Sequence, residues 1–196
     1  MKSMDDRNIL RLSVPMKSQA ARNRVSEEIA KEHIYKFFVR KDGTEIIKKD
    51  NTTTMVSFEA LNPKGNLMED FRSLFIRTKI GGWIGNYRSK LVKLASAMVE
   101  MSVTPDLALI LQVIVQKNGH LDVVGTRFAA AVVEVKRGNA KLTSEQRKDW
   151  DVAKKHGIPY YLLKVDDSDF MKGNFILELN LCTPNIELTV PELHTE

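Results

Sequence analysis

The chain has 196 residues, of which 43% are hydrophobic and 28% are charged. This composition suffices for one domain with a packed core and excludes wholesale disorder. No apolar run reaches the ~18 residues that a membrane-spanning helix needs. The single cysteine, Cys182, excludes an intrachain disulfide. We therefore expect an intracellular, cytoplasmic protein that has no membrane partner.

The net charge of +5 is unevenly distributed along the chain. The segment from Asp166 to Glu196 has seven Asp/Glu and one Lys, a net charge of −6. The remainder of the chain carries 29 Lys/Arg against 18 Asp/Glu, a net charge of +11. A basic body favours a polyanionic partner, most simply nucleic acid.

The first half of the chain favours helices. Apolar residues recur every three or four positions over residues 18–39, which predicts a helix that ends at the turn Lys41-Asp42-Gly43. Residues 44–66 are polar and could form a pair of strands, and further helices are predicted over residues 67–77 and 86–101. We therefore expect a helical arm or extension over residues 1–85, a core over residues 86–182 and an acidic tail over residues 183–196.

Strands follow in the second half. The apolar residues 107–115 predict a buried strand, and Asn118-Gly119 predicts a turn after it. Two short strands are expected over residues 121–125 and 128–136, joined by a tight connection at Thr126-Arg127.

A helix and further strands complete the pattern. Thr143 and Gln146 have capping-box spacing and predict the start of a helix, which Gly157 and Pro159 end. A buried strand is expected over residues 158–165, and residues 175–181 could add an edge strand. This order predicts an α/β fold in which a mixed β-sheet is flanked by helices.

A glutamate and a lysine stand at the end of the strand over residues 128–136. Side chains alternate along a strand, so Glu134 and Lys136 share one face while Val133 and Val135 point to the other. Two charges on a strand that is otherwise apolar are costly to bury unless they pair or bind something. A lone Glu-x-Lys is commonly a surface ion pair, and it is the apolar surroundings that favour a functional site.

Asp122 lies twelve residues before Glu134. A tight connection between the two short strands would set them side by side, so that both carboxylates converge on one hard cation, which prefers oxygen ligands. The backbone carbonyl of Val135 would add a third ligand, and Lys136 would orient the attacking water or offset charge growing on a phosphate. The expected cofactor is Mg²⁺ or Mn²⁺.

The stretch over residues 121–165 closely resembles the core of PD-(D/E)XK nucleases, most of all the archaeal Holliday-junction resolvases and the virus-type replication-repair nuclease modules. In that superfamily an acid on one strand is followed by Glu-x-Lys on the next strand, then by a helix and an apolar strand that often opens with Gly-Ile-Pro. The resemblance implies a restriction-endonuclease-like core that hydrolyses DNA with a divalent metal.

The resemblance carries catalytic roles onto single positions of this chain. Asp122 matches the first acid, Glu134 the second and Lys136 the lysine. Gln146 matches a glutamine that some branches carry at the start of the following helix. Gly157-Ile158-Pro159 matches the opening of the last core strand.

Two departures from the pattern leave alternatives open. Leu121 stands where a proline can precede the first acid, whereas a literal Pro105-Asp106 lies further upstream, which makes Asp106 the second choice for that acid. Resolvases also carry a Glu near the start of the first core helix, where this chain has no acid. Glu100, near the other end of that helix, is a weak substitute, so a second metal site lacks its expected ligand.

Basic residues surround the predicted site in loops and at the start of the helix. Such charges neutralise phosphates without reading sequence, and DNA, duplex or branched, is the expected partner. The residues expected to contact nucleic acid are Arg127, Arg137, Lys141, Arg147 and Lys148.

The best-supported function is a metal-dependent DNA endonuclease, with structure-selective cleavage of the Holliday-junction type as the finer prediction. A nicking or restriction-like nuclease is the nearest alternative among enzymes, and a non-cleaving DNA-binding or regulatory protein is the alternative outside them. Cutting a junction on two strands needs two sites, so we expect a homodimer. The apolar surfaces available for it are residues 29–38, and Phe170 with the strand over residues 175–181.

Overall fold

The computed structural model describes residues 8–14, 22–38, 44–49, 52–63 and 85–188. The helix expected over residues 67–77 and the glycine-rich segment that follows it to residue 84 lie outside these ranges. No helix among the described residues is long and apolar enough to cross a membrane.

Among the described residues, seven strands form one sheet. They are β1 (Ile9–Ser13), β2 (Thr44–Lys49), β3 (Thr52–Leu61), β4 (Leu107–Lys117), β5 (His120–Arg137), β6 (Tyr160–Asp166) and β7 (Asn174–Leu181). Their order across the sheet is β1-β7-β6-β5-β4-β3-β2. All neighbours are antiparallel except β5 and β6, which are parallel.

In the part of the chain that the structure describes, three α-helices accompany the sheet: α1 (Arg22–His33), α2 (Gly85–Glu100) and α3 (Ser144–Lys155). Short 3-10 turns at Ile34–Phe37 and Phe170–Lys172 add to them. Helix α3 makes the crossover that a parallel pair of strands requires, since it connects β5 to β6. The mixed sheet flanked by helices, compatible with a restriction-endonuclease-like fold, is therefore confirmed.

Each face of the sheet has its own apolar core. On one face, Ile29 and Ala30 of α1 pack with strand residues such as Val133 and Val165. On the other face, α2 and α3 pack with residues that include Val132. Because side chains alternate along β5, Glu134 and Lys136 continue the face that carries α2 and α3.

The turn between β4 and β5 is the one that the sequence predicts. Asn118 has φ 52° and Gly119 has φ 79°, and Lys117 pairs with His120. Two central residues with positive φ match a type I′ hairpin turn, whose twist fits the flanking strands. This reversal sets β5 antiparallel to β4 along nearly its whole length.

The second reversal expected near residues 126–127 is wrong. Strand β5 runs on in one direction as a single element of 18 residues. Arg127 pairs with Val113 and Asp122 pairs with Val115, so β5 advances five residues where β4 advances two. The surplus forms a β-bulge that includes Gly125, and glycine inside a strand commonly marks such a bulge rather than a turn.

The described residues ahead of position 85 are not a separate helical arm. Strands β2 and β3 form a hairpin that extends the sheet from β4, and β1 pairs with β7 at the opposite edge. Ile29 of helix α1 and Ile34 of the 3-10 turn after it are buried in the same core as β5 and β6. This segment therefore completes the sheet and one of its two cores.

Much of the apolar surface from which the dimer was predicted is buried inside this protomer, although Ile176 is 37% exposed. Strand β7 is an inner strand, since β1 covers its outer edge. Phe170, Phe175 and Ile34 are all buried in the core beneath α1. The first residues of the expected acidic tail also pack here, because Leu188 is buried and its N–H donates to the Tyr161 hydroxyl at 2.7 Å.

Candidate metal centre and active site

Glu134 lies near the carboxyl end of β5 and is only 3% exposed. Its Oε1 accepts hydrogen bonds from Lys136 Nζ at 2.8 Å and from the side-chain amide of Gln146. Its Oε2 is also buried and has no hydrogen-bond partner among the described residues. Burial raises the pKa of Glu134, the charge of Asp106 raises it further, and Lys136 opposes the shift. A buried carboxylate oxygen that lacks a donor is costly unless a cation meets it.

Asp106 is the acid that the tertiary structure brings to Glu134. It directly precedes β4, and the pairing of Leu107 with Val133 sets it beside the end of β5. Its Oδ2 accepts a hydrogen bond from the backbone N–H of Val135 at 2.8 Å. The sequence ranks Asp106 second for the role of the first acid, and Asp106 is the acid whose charge acts on Glu134 in the structure.

Asp122, the first choice from sequence, lies far from Glu134. The two residues occupy one strand instead of two adjacent ones. Asp122 pairs with Val115 and Val133 pairs with Leu107, so eight residues of β4 separate the two levels. At a rise of ~3.3 Å per residue this is about 26 Å. Two residues whose backbones lie that far apart cannot supply ligands to one cation, so the strand pairing argues against Asp122 as the partner of Glu134.

Val135 and Lys136 take up positions that suit their predicted roles. The N–H and C=O of a strand residue point to the same edge, so the carbonyl of Val135 points to the side where Asp106 meets its N–H. The pairing with β4 ends at Val133, which leaves this edge of β5 open to a ligand. The side chain of Lys136 is 17% exposed and forms an ion pair with Glu134.

Gln146 connects helix α3 to Glu134. The Thr143 hydroxyl accepts from the Gln146 N–H at 3.2 Å, and the Gln146 Oε1 accepts from the Thr143 N–H at 3.0 Å, which completes the predicted capping box. The amide NH₂ of the same side chain then donates to Glu134. A glutamine can serve both contacts because it carries an acceptor and a donor, whereas a glutamate would repel Glu134.

Two further buried polar residues near the acids were missed by sequence reasoning. Asp149, one turn beyond Gln146 on α3, is 1% exposed and accepts hydrogen bonds from the N–H groups of Ser102 and Val103. Tyr160 is buried where β6 begins, and burial followed by the charge of Glu134 raises the pKa of its hydroxyl. The sequence offered a weak signal for Asp149, since the face of α3 that carries Gln146 points to the sheet.

The donor set fits a hard divalent cation. Two carboxylates and one backbone carbonyl are oxygen ligands of the kind that Mg²⁺ uses together with water. No group of three or more His, Cys, Asp or Glu side chains that could hold a metal occurs among the described residues. The open oxygen of Glu134 beside Asp106 is the observation that favours a cation here.

The residues predicted to contact DNA differ in their surroundings. The side chain of Arg127 lies outside the described residues. Arg147 and Lys148 are exposed at the start of α3, close to Gln146. Arg137 is 38% exposed and pairs through Nε with the buried Asp167 at 2.9 Å.

Lys141, the remaining predicted contact, lines a cleft of about 880 Å³ beyond the carboxyl end of β5. The cleft opens where β5 and β6 end, and Arg137, Lys164 and Glu178 also line it. Lys164 pairs with Lys136 across the parallel strands and so lies on the same face as Glu134. The cleft therefore begins one strand away from the proposed catalytic lysine.

Glu100, the weak substitute for the missing helix glutamate, does not reach the acids. Its carboxylate forms ion pairs with Lys155 at 2.8 Å and His156 at 3.1 Å, at the far end of α3 from Gln146. These hydrogen bonds lower the pKa of Glu100. Glu100 therefore ties the ends of α2 and α3 together.

Comparison with known proteins assigns this region to a nuclease class. Residues 83–167 match the model of the VRR-NUC domain, a PD-(D/E)XK-type nuclease domain found in virus-type replication-repair nucleases. The matched segment is less than half of the chain, and it contains both acids, Lys136 and helix α3. The predicted resemblance to the PD-(D/E)XK superfamily is thereby confirmed. No curated protein and no solved structure matches the chain.

Proposed function

We propose that the chain is a divalent-metal-dependent DNA endonuclease whose active site consists of Asp106, Glu134, Val135 and Lys136. The VRR-NUC match supplies the class of reaction, hydrolysis of a phosphodiester bond. The observation that carries the proposal is the closeness of Asp106 to Glu134, whose buried Oε2 has no hydrogen-bond donor among the described residues. Two carboxylates of like charge lie close together in this arrangement, and a bound cation would neutralise them.

The carboxylates of Asp106 and Glu134 and the carbonyl of Val135 would hold Mg²⁺ or Mn²⁺. When bound, the ion supplies Lewis-acid activation of water and charge neutralisation at the phosphate. Lys136 keeps its ammonium beside Glu134, where it would orient the attacking water and offset negative charge on the phosphate. Gln146 holds the Glu134 carboxylate in place and does not touch the substrate.

The basic residues near the site support a path for the DNA backbone. Arg147 and Lys148 stand exposed on the α3 side, while Lys141 and Lys164 line the cleft at the strand ends. Phosphate contacts of this kind release counterions, so binding should weaken by about 0.9 log units per contact for each tenfold rise in salt. Arg127 stays a prediction from the sequence.

Structure-selective cleavage and a homodimer are the finer parts of the proposal. A branched junction must be cut on two strands, which two sites related by a two-fold axis would do. Much of the surface first expected to form the dimer is buried. Exposed apolar side chains among the described residues that would contribute to it include Val92 and Val99, which are 53% and 86% exposed on one side of α2, and Met171, which is 73% exposed.

The test is incubation with labelled four-way, flap and linear DNAs with Mg²⁺, Mn²⁺, Ca²⁺ or EDTA. We expect cleavage with Mg²⁺ or Mn²⁺, binding without cleavage in Ca²⁺, and no cleavage in EDTA. Cleavage that survives excess EDTA would refute the metal site. Binding without cleavage under every condition would support the alternative of a non-cleaving DNA-binding protein.

Substrate choice and oligomeric state follow from the same preparation. Preference for four-way DNA over linear duplex would support junction resolution, and equal rates would support a nicking or restriction-like nuclease. Sedimentation equilibrium at micromolar concentration should give the dimer mass. A monomer mass would remove most of the case for junction resolution.

A further inference from the structure

We infer that Asp149 is a positioning residue that sets Asp106, and through it the metal affinity of the site. This inference rests on the proposed function, because it concerns the same pair of acids. It assigns a role to a buried acid that takes no part in the chemistry proposed above.

Asp149 holds the backbone that leads to Asp106. One carboxylate oxygen accepts from the Ser102 N–H at 2.8 Å and the other accepts from the Val103 N–H at 3.2 Å. Three residues later the chain reaches Asp106, by way of Pro105, which is buried and has a ring-restricted φ. The path between the anchor and the metal ligand is therefore short and stiff.

The other end of this path is also held. The carboxylate of Asp106 accepts from the Val135 N–H at 2.8 Å, so the loop is fixed to α3 at its start and to β5 at its end. A displacement of Ser102 and Val103 would shift Asp106 relative to Glu134. A shift of Asp149 would therefore displace loop residues 102–106 and, with them, the proposed metal ligand Asp106.

Helix α3 in this way controls both acids. Gln146 contacts Glu134 directly, and Asp149, three residues further along the same face, fixes the loop that presents Asp106. The capping box at Thr143 fixes where this helix begins. Groups that orient metal ligands from outside the coordination sphere typically change metal affinity by about 10- to 100-fold when removed.

A merely structural role for Asp149 would be to tie α2 to α3. The ion pairs of Glu100 with Lys155 and His156 already join these helices at the surface. The two roles differ in outcome, since loss of a tie lowers thermal stability without a specific effect on metal binding. The variants below separate them.

The experiment is calorimetric titration of the full chain with Mn²⁺ in the absence of DNA, alongside thermal unfolding. Asp149→Ala should weaken Mn²⁺ binding by about 10- to 100-fold. Asp149→Asn retains one acceptor for the loop, so it should give an intermediate loss. Its conservative geometry also covers the case in which the alanine variant fails to fold.

The matched control is Ser26→Ala. Ser26 is equally buried and donates to a carboxylate oxygen of Asp167 at 3.0 Å, on the face of the sheet opposite the acids. Ser26→Ala should lower the unfolding temperature and leave the Mn²⁺ affinity unchanged. Wild-type affinity in both Asp149 variants, or an equal loss in Ser26→Ala, would overturn the inference. No Mn²⁺ binding by the unaltered chain would instead overturn the proposed metal site and this inference with it.

Discussion

Each end of strand β5 carries an acid, and the two acids have different surroundings. At the carboxyl end, Glu134 is buried and contacts Lys136 and Gln146. At the amino end, beyond the β-bulge, Asp122 lies near the Asn-Gly turn and about 26 Å away at ~3.3 Å per residue. Both belong to a strand of apolar composition, so sequence context alone does not distinguish them. The difference lies in what the neighbouring elements bring to each end.

The largest expected effect on cleavage is the difference between Asp106→Asn and Asp122→Asn. We expect Asp106→Asn to remove several kcal/mol of transition-state stabilisation, on the order of a thousandfold in kcat, because it deletes a charged metal ligand. Asp122→Asn should cleave like the unaltered chain. Single-turnover cleavage with Mg²⁺ measures both. If Asp122→Asn lost activity and Asp106→Asn stayed active, the first acid of the site would be Asp122 and not Asp106.

Lys136→Ala, which also lies at the carboxyl end of β5, should have the next largest effect on kcat. Loss of a cation aimed at developing charge typically costs about 10²- to 10³-fold in kcat. Mn²⁺ binding should persist, since Lys136 is not a ligand. Lys154→Ala, which removes an exposed lysine near the other end of α3, is the control and should leave kcat unchanged. If Lys136→Ala lost metal binding as well, a role confined to water and phosphate would be wrong.

Gln146→Ala and Thr143→Ala together distinguish the stability that the capping box provides from the contact that positions Glu134. Both remove part of the cap and should each lower the free energy of unfolding by about 1 kcal/mol. Only Gln146→Ala also releases the Glu134 carboxylate, so it alone should lower kcat, by about 10-fold or more. Chemical denaturation and single-turnover kinetics test this. Equal kcat in the two variants would show that the Glu134 contact is dispensable.

The smallest effect on activity is expected at the amino end of β5. Gly119→Ala places a side chain at φ 79°, which should lower the free energy of unfolding by about 1 kcal/mol. The space around this position is open, so strain and not a clash is the cause. Cleavage at temperatures well below unfolding should be unaffected. A fall in kcat under those conditions would mean that the two ends of the strand are coupled.

Local chemistry predicted most of the elements. The Asn118-Gly119 turn, the capping box at Thr143 and the stop at Gly157 with φ 65° depend on residues close in sequence, and all three are confirmed. Alternation along β5 also placed Glu134 and Lys136 on one face correctly. These features need no knowledge of the rest of the chain.

The pairing of the strands was decided by the tertiary structure. Gly125 and its neighbours are compatible with a turn or a bulge, and only the register with β4 selects the bulge. With that register Asp122 lies far from Glu134, and Asp106, an acid 28 residues before Glu134 in the sequence, lies beside the end of β5. Strand β1 and helix α1 likewise joined the main sheet and core through contacts with β6 and β7.

The sequence by itself predicted the class of chemistry, because Glu134-Val135-Lys136, the capped helix after it and Gly157-Ile158-Pro159 form a pattern, close in sequence, that resembles the PD-(D/E)XK nucleases. The identity of the first acid depended on which loop the sheet carries to that motif. Apolar burial and strand register are long-range properties, and they settled both the partner of Glu134 and the place of the N-terminal strands.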